Sequence, residues 1–212
     1  MKTRLALALG ATLLAAPALA DNPYLKTDAD KWQADPGFSF TLFGGFTTGG
    51  DKIAEISFTD GTTDSVRFGG RYHFGIGGVY EVPDSRWLFG ANLGYHVNWA
   101  DDADNEVTIK RYTLEAIPYY RLGRHLLGAG ISWHFGGEVE VDEQTDIFGF
   151  KEAKMDDEIG FLVEYNYQLY RHGWVGFRYQ IVDYDIDEVD GVGIPAVNFD
   201  ADHWGIYYRA VF

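Results

Sequence analysis

Residues 203–212 read HWGIYYRAVF. Counted back from the end by twos, Phe212, Ala210, Tyr208, Ile206 and Trp204 are all apolar or aromatic. The other phase, Val211, Arg209, Tyr207, Gly205 and His203, mixes small, polar and charged groups. A period of two belongs to a strand with two chemically different faces. The fold therefore turns on whether the preceding chain holds partners of the same kind.

It does. Seven further segments alternate in the same way, at about 38–46, 66–81, 87–99, 107–121, 126–136, 155–170 and 174–184. The third is unbroken: Trp87, Phe89, Ala91, Leu93, Tyr95, Val97 and Trp99 take one side, and Leu88, Gly90, Asn92, Gly94, His96 and Asn98 the other. In the second, Val66, Phe68, Tyr72 and Phe74 share the apolar phase, and Arg67, Arg71 and His73 the polar one. Pro118 would interrupt a paired strand and is expected to mark an end. Pro83-Asp84-Ser85, Gly123-Arg124 and Arg171-His172-Gly173 read as tight turns. The intervening connections are long and polar, as at 47–64 (where 53–58 has strand character), 101–106, 137–154 and 185–199. Long and short connections thus alternate around eight strands.

Lys2 and Arg4, the apolar run from Leu5 to Ala16 and the small residues Ala18-Leu19-Ala20 predict a cleavable secretory signal over 1–20. The apolar core is too short for a membrane span of ~20 residues. A periplasmic lead-in is expected over 21–37, with the barrel over 38–212. Loss of the leader takes the formal net charge from −15 to −17. That acidity argues against a nucleic-acid partner, which needs a basic patch. With no cysteine, disulfide and thiol chemistry are absent. Aromatic residues make up 17% of the chain, and there are 26 glycines. A lipid-facing barrel uses aromatics in this abundance, in an outward apolar band with interfacial girdles.

The expected fold is all-β: an eight-stranded antiparallel up-and-down transmembrane barrel. A soluble eight-stranded barrel with its apolar phase inside fails on volume. Such an interior is just wide enough for side chains, and the apolar phase carries too many Trp, Phe and Tyr to fit. From strand one to Phe212 the chain resembles the small outer-membrane barrels of the OmpA, OmpX and opacity type. The resemblance rests on architecture and on the terminal aromatic strand. It implies a cell outer membrane location in a Gram-negative bacterium and contact with membrane lipids and lipopolysaccharide. It also implies recognition of Phe212 by the assembly machinery, and it brings no catalytic residue.

The expected function is non-enzymatic and cofactor-free: a barrel anchoring acidic external loops for envelope integrity or surface interaction. Inward Arg67, Arg71, Glu115, Arg121, Glu164, Arg178 and Arg209 offer both signs of charge, and the Asn166 amide joins their polar network. In so narrow a lumen they are expected to pair and plug it, the alternative being a narrow passive pore. A symmetric turn at His172 would set Asn166 opposite Arg178, with Glu164 on the diagonal. Ser132 and His134, with Glu115 across from Ser132, offer the elements of a lipid-modifying site. Mutual hydrogen bonding in a polar lumen accounts for them equally. The acidic groups Asp101, Asp102 and Asp104, Asp156 to Glu158, and Asp183 to Asp190 read as solvated loops, or as Ca²⁺ or Mg²⁺ ligands bridging to lipopolysaccharide phosphates. His73, His96, His134 and His203 all fall inward at similar heights. A symmetric turn over 83–86 sets His73 opposite His96. A shared Zn²⁺ or Cu²⁺ with His134 or His203 as third ligand, or simple lumen filling, follows from that placement.

Overall fold

A computed structural model describes residues 37–57, 63–101, 105–143, 150–170 and 172–212. The expected leader, and the lead-in before Gly37, lie outside the described residues. Thirteen strands are described: β1 Gly37–Gly49, β2 Lys52–Ser57, β3 Thr63–Arg67, β4 Arg71–Glu81, β5 Trp87–Asp101, β6 Asn105–Leu122, β7 His125–Glu143, β8 Glu152–Met155, β9 Glu158–Tyr170, β10 Gly173–Ile181, β11 Asp183–Val189, β12 Val192–Asp200 and β13 His203–Val211. β1, β4, β5, β6, β7, β9, β10 and β13 pair antiparallel in that order, and β13 returns to β1. The barrel is closed and leaves no edge among these eight.

Closure is completed by the terminal strand. Thr41 pairs with Val211 and Gly49 with His203, and the Phe212 amide donates to the Phe40 carbonyl at 2.9 Å. Short turns join the strands at one end, here the turn end. Gly123, at φ 61°, takes the first central position of a two-residue hairpin, where most side chains would clash.

Outside, the apolar phase meets no protein. Phe40 is 68% exposed and Trp133 45%, and Leu42, Ile76, Leu93, Leu114, Ile131 and Ile206 are exposed too. Aromatic residues flank this band. Trp87 contacts Tyr120 at the turn end, and Tyr72 stacks on Trp99 at the other. Trp87 and Trp99 lie twelve residues apart on β5, about 40 Å of strand and roughly 30 Å along the axis at a tilt of ~40°. A bilayer's hydrocarbon core, ~30 Å thick, has this depth.

Beyond the band, at the loop end, the polarity of both faces inverts. On β6 the outward Tyr112 is followed by Lys110, which pairs with Glu138 at 3.1 Å and Glu140 at 2.5 Å. The inward side becomes apolar instead: Val66, Phe68, Ala100, Val107, Ile109, Val139, Val141, Ala153, Met155, Val182 and Tyr184 form one buried cluster. The segment 137–154, expected as a polar loop, continues β7 to Glu143 and then supplies β8. Likewise 185–199 is the hairpin β11–β12, turning at Asp190 (φ 49°) and Gly191 (φ 76°). Paired positive φ values define the type I′ turn that suits twisted strands. The long connections thus build a folded β extension with its own core.

Two expectations are corrected here. Val66 and Phe68 do not share the outward face of Phe74; they are fully buried in the loop-end cluster. β3 and β4 are separate strands divided by a turn at 68–70, so the count by twos does not carry across it. Pro118 lies inside β6, opposite Phe89, not at a strand end. Tolerance there comes from the β6–β7 ladder, which omits bridges at Ile117 and Pro118 and resumes at Tyr119.

Candidate functional site

Buried charged side chains converge in the lumen, and strand parity puts them there. At its centre Arg178 (β10) is 1% exposed. Its Nη1 donates to Glu115 Oε1 (β6) at 2.5 Å, and its Nε and Nη2 donate to Glu164 Oε2 (β9) at 2.8 and 2.5 Å. Asn166 donates to Glu164 at 2.6 Å and Asn92 to Glu115 at 2.9 Å. Arg209 (β13) lies 3.5 Å from Glu164 and donates to Asn92 at 2.7 Å. Tyr119 donates to Glu164 at 3.0 Å. Five strands meet in this network, which spans the barrel.

Glu164 faces Arg178 directly and Asn166 faces Gly176, not the diagonal arrangement expected from a symmetric turn. An irregularity between Gly173 and Trp174 shifts the register. At Gly176 a Cβ would overlap the Asn166 side chain, so only glycine lets Asn166 lie across the strand to reach Glu164.

Arg67 and Arg71 stand apart from this network, contrary to expectation. Arg67 belongs to β3 and donates to the Gly50 carbonyl at 3.0 Å. Arg71, at the loop-end rim, places its guanidinium 5.7 Å from the Trp99 ring centroid and donates to the Trp99 carbonyl. The reason is again the turn at 68–70, which ends the lumen side of β4.

Toward the turn end, Val79, Leu88, Tyr119, Leu126, Trp174 and Val211 pack together. Beside them Arg121 bridges Glu81 at 2.5 Å and Gln168 at 2.7 Å. The lumen is therefore layered from one end to the other: apolar, charged, imidazole, apolar.

The imidazole layer holds the expected cross-strand pair. His73 faces His96, their rings stack at 5.1 Å, and His203 lies 5.1 Å from His96. A shared metal, however, meets occupied ring nitrogens. His73 bonds Tyr207 through Nδ1 at 3.0 Å and Thr113 through Nε2 at 3.1 Å. His96 Nδ1 accepts from Arg111 at 2.6 Å, so its proton sits on Nε2, which donates to Thr47 at 2.8 Å. His134 is held apart by Ser132, Gln180 and Tyr184. Imidazole here serves as a compact donor and acceptor. Among the described residues, the grouping with three mutually close ligand atoms is instead Asp183, Asp200 and Asp202, at the loop end.

Ser132 does lie 2.8 Å from His134, opposite Glu115 on the β6–β7 ladder. Glu115 is committed to Arg178, and the partner of the other His134 nitrogen is Tyr184 at 2.6 Å. Both Ser132 and His134 are buried on the lumen side of β7. Arg111, Glu81, Tyr207, Gln180 and Tyr184 were not singled out by sequence. Arg111 was legible, since it shares the parity of Thr113 and Glu115.

No family model and no curated protein sequence matches the chain. Among solved structures it is similar to Ail, the attachment invasion locus protein of Yersinia pestis, with 13% identity and a TM-score of 0.52 over 84% of this chain and 100% of that one. Neisserial surface protein A gives 13% and 0.48 over 85% and 100%. OprG from Pseudomonas aeruginosa gives 16% and 0.47 over 85% and 98%. At such identities the likeness is one of fold. By closure, strand order and the likeness to Ail, the chain has the fold of the small eight-stranded outer-membrane β-barrels.

Proposed function

We propose that the protein is a non-enzymatic anchor in the outer membrane of a Gram-negative bacterium. Its sealed barrel would hold an acidic β extension outside the cell, for envelope integrity or surface interaction. The observation that carries this reading is the double inversion of polarity at the loop end. Apolar-out and polar-in becomes charged-out and apolar-in at one level of the barrel. A chain leaving a bilayer for water needs that change. The acidic face meets lipopolysaccharide and external partners, Phe212 is the mark read by the assembly machinery, and the leader is removed on export.

The layered lumen supports a plug over a passive pore. Opening it would separate Arg178 from two carboxylates in a space that water barely enters, and unpaired buried charge is costly. Purified protein in a planar bilayer is expected to give no discrete conductance steps. Stable unitary currents from the wild-type protein would replace the plug with the pore.

A further inference from the structure

Four guanidiniums and three carboxylates are buried in the barrel: Arg111, Arg121, Arg178 and Arg209 against Glu81, Glu115 and Glu164. The carboxylates are all spoken for. Glu81 pairs with Arg121, Glu115 with Arg178, and Glu164 with Arg178 and Arg209. Arg111, 1% exposed, is left over and has no carboxylate within ion-pair distance among the described residues. Its guanidinium donates to the Phe68 carbonyl at 2.7 Å and to His96 Nδ1 at 2.6 Å. The Tyr184 ring lies 4.9 Å away. Its Nε is buried without a hydrogen-bond partner. The groups around it, imidazoles and hydroxyls, are polar but carry no compensating negative charge.

A guanidinium holds its proton too tightly to discharge itself by losing it. An isolated buried charge is otherwise too expensive to keep. From this leftover charge, its unpartnered N–H and the hydroxyl- and imidazole-rich walls, we infer that Arg111 and the histidine layer bind a small monovalent inorganic anion of the halide class. One charge calls for one negative charge. Close packing of this layer favours a spherical ion over a carboxylate or phosphate: a Cβ on Gly94 would already meet Thr113 Oγ1 at 2.5 Å, and one on Gly69 would meet His203 Cβ at 2.5 Å. The loop-end apolar cluster covers the layer, so the ion is captured as the barrel forms and is held afterwards.

That retention gives the test. Protein refolded in sodium chloride is desalted into sodium gluconate, then denatured, and the released chloride is measured by ion chromatography. Wild type is expected to release close to one chloride per chain, Arg111→Lys a comparable amount, and Arg111→Met almost none. No release from wild type, or equal release from Arg111→Met, would overturn the assignment. If Arg111→Met does not refold, wild type refolded in sodium bromide and crystallised supplies the second measurement. An anomalous bromide peak beside Arg111 supports the site, and bromide found only on the outer surface, an adventitious ion only, refutes it.

Discussion

Two carboxylates converge on Arg178, and their geometry sets the energetics of the lumen. Each is within 2.5 Å of a guanidinium nitrogen and fully buried. Arg178→Met would leave both without their main partner, and breaking a buried pair costs about 3–5 kcal/mol. Chemical unfolding of the refolded barrel should register a loss of that order. Arg67→Ala, whose guanidinium donates to a rim carbonyl, should cost less than about 1 kcal/mol. Equal losses from the two would mean that the central network is not what holds the lumen. Parity along uninterrupted strands made Arg178, Glu115, Glu164 and Arg209 legible in the sequence, and symmetric turns made the His73–His96 pairing legible. The place of Arg67 is not legible, because a turn interrupts the count by twos. The Glu164–Arg178 register is not legible either, because a local irregularity leaves no mark in residue types.

At the scale of elements, the same rule separates what could be read from what could not. The eight strands within the apolar band follow from alternation. The extension did not, because its pattern is inverted and its phase changes midway. On β7, His134 faces in, and so do Val139 and Val141. The odd residue is absorbed where β6 and β7 shift register between Lys110 and Tyr112, with Gly136 at φ 58°. Such a bulge changes which face each later side chain takes. Charged residues then read as loop when they are the solvent face of a strand. The Asp190–Gly191 turn tests the extension by itself. Gly191→Ala would force an L side chain into φ 76°, costing roughly 1 kcal/mol. Amide exchange should quicken in β11 and β12 and stay unchanged in β5 and β6. Uniform quickening would mean that the extension and barrel unfold as one unit.

The extension also carries a dependence on pH. Neighbouring Asp187 holds the Asp156 carboxyl above its usual range, with partial desolvation and Asp185 adding to it. Burial raises Asp183 and Asp202, and nearby Asp200 adds to both. A carboxyl whose folded-state pKa is raised favours folding when protonated. Its contribution is full below the unfolded value, near 3.8, and is lost as pH rises through the folded value. Protection of β11 and β12, corrected for intrinsic exchange, should therefore increase as pH falls from 7 toward that value. Asp156→Asn should flatten part of the trend. Protection that falls with acidification would show that repulsion among these carboxylates does not govern the extension.

For the whole molecule, everything rests on which way the apolar phase faces. The outward Trp133 on β7 and the inward Trp174 on β10 stand on either side of β9, the first 45% exposed and the second 1%. Single-tryptophan proteins retaining one or the other, refolded into bilayers of bromine-labelled phospholipid, read that orientation directly. Bromine quenches an indole it can touch. Fluorescence from Trp133 should be strongly quenched and that from Trp174 nearly unchanged. Quenching of Trp174 with Trp133 untouched, or quenching of neither, would contradict a lipid-facing barrel with a sealed lumen.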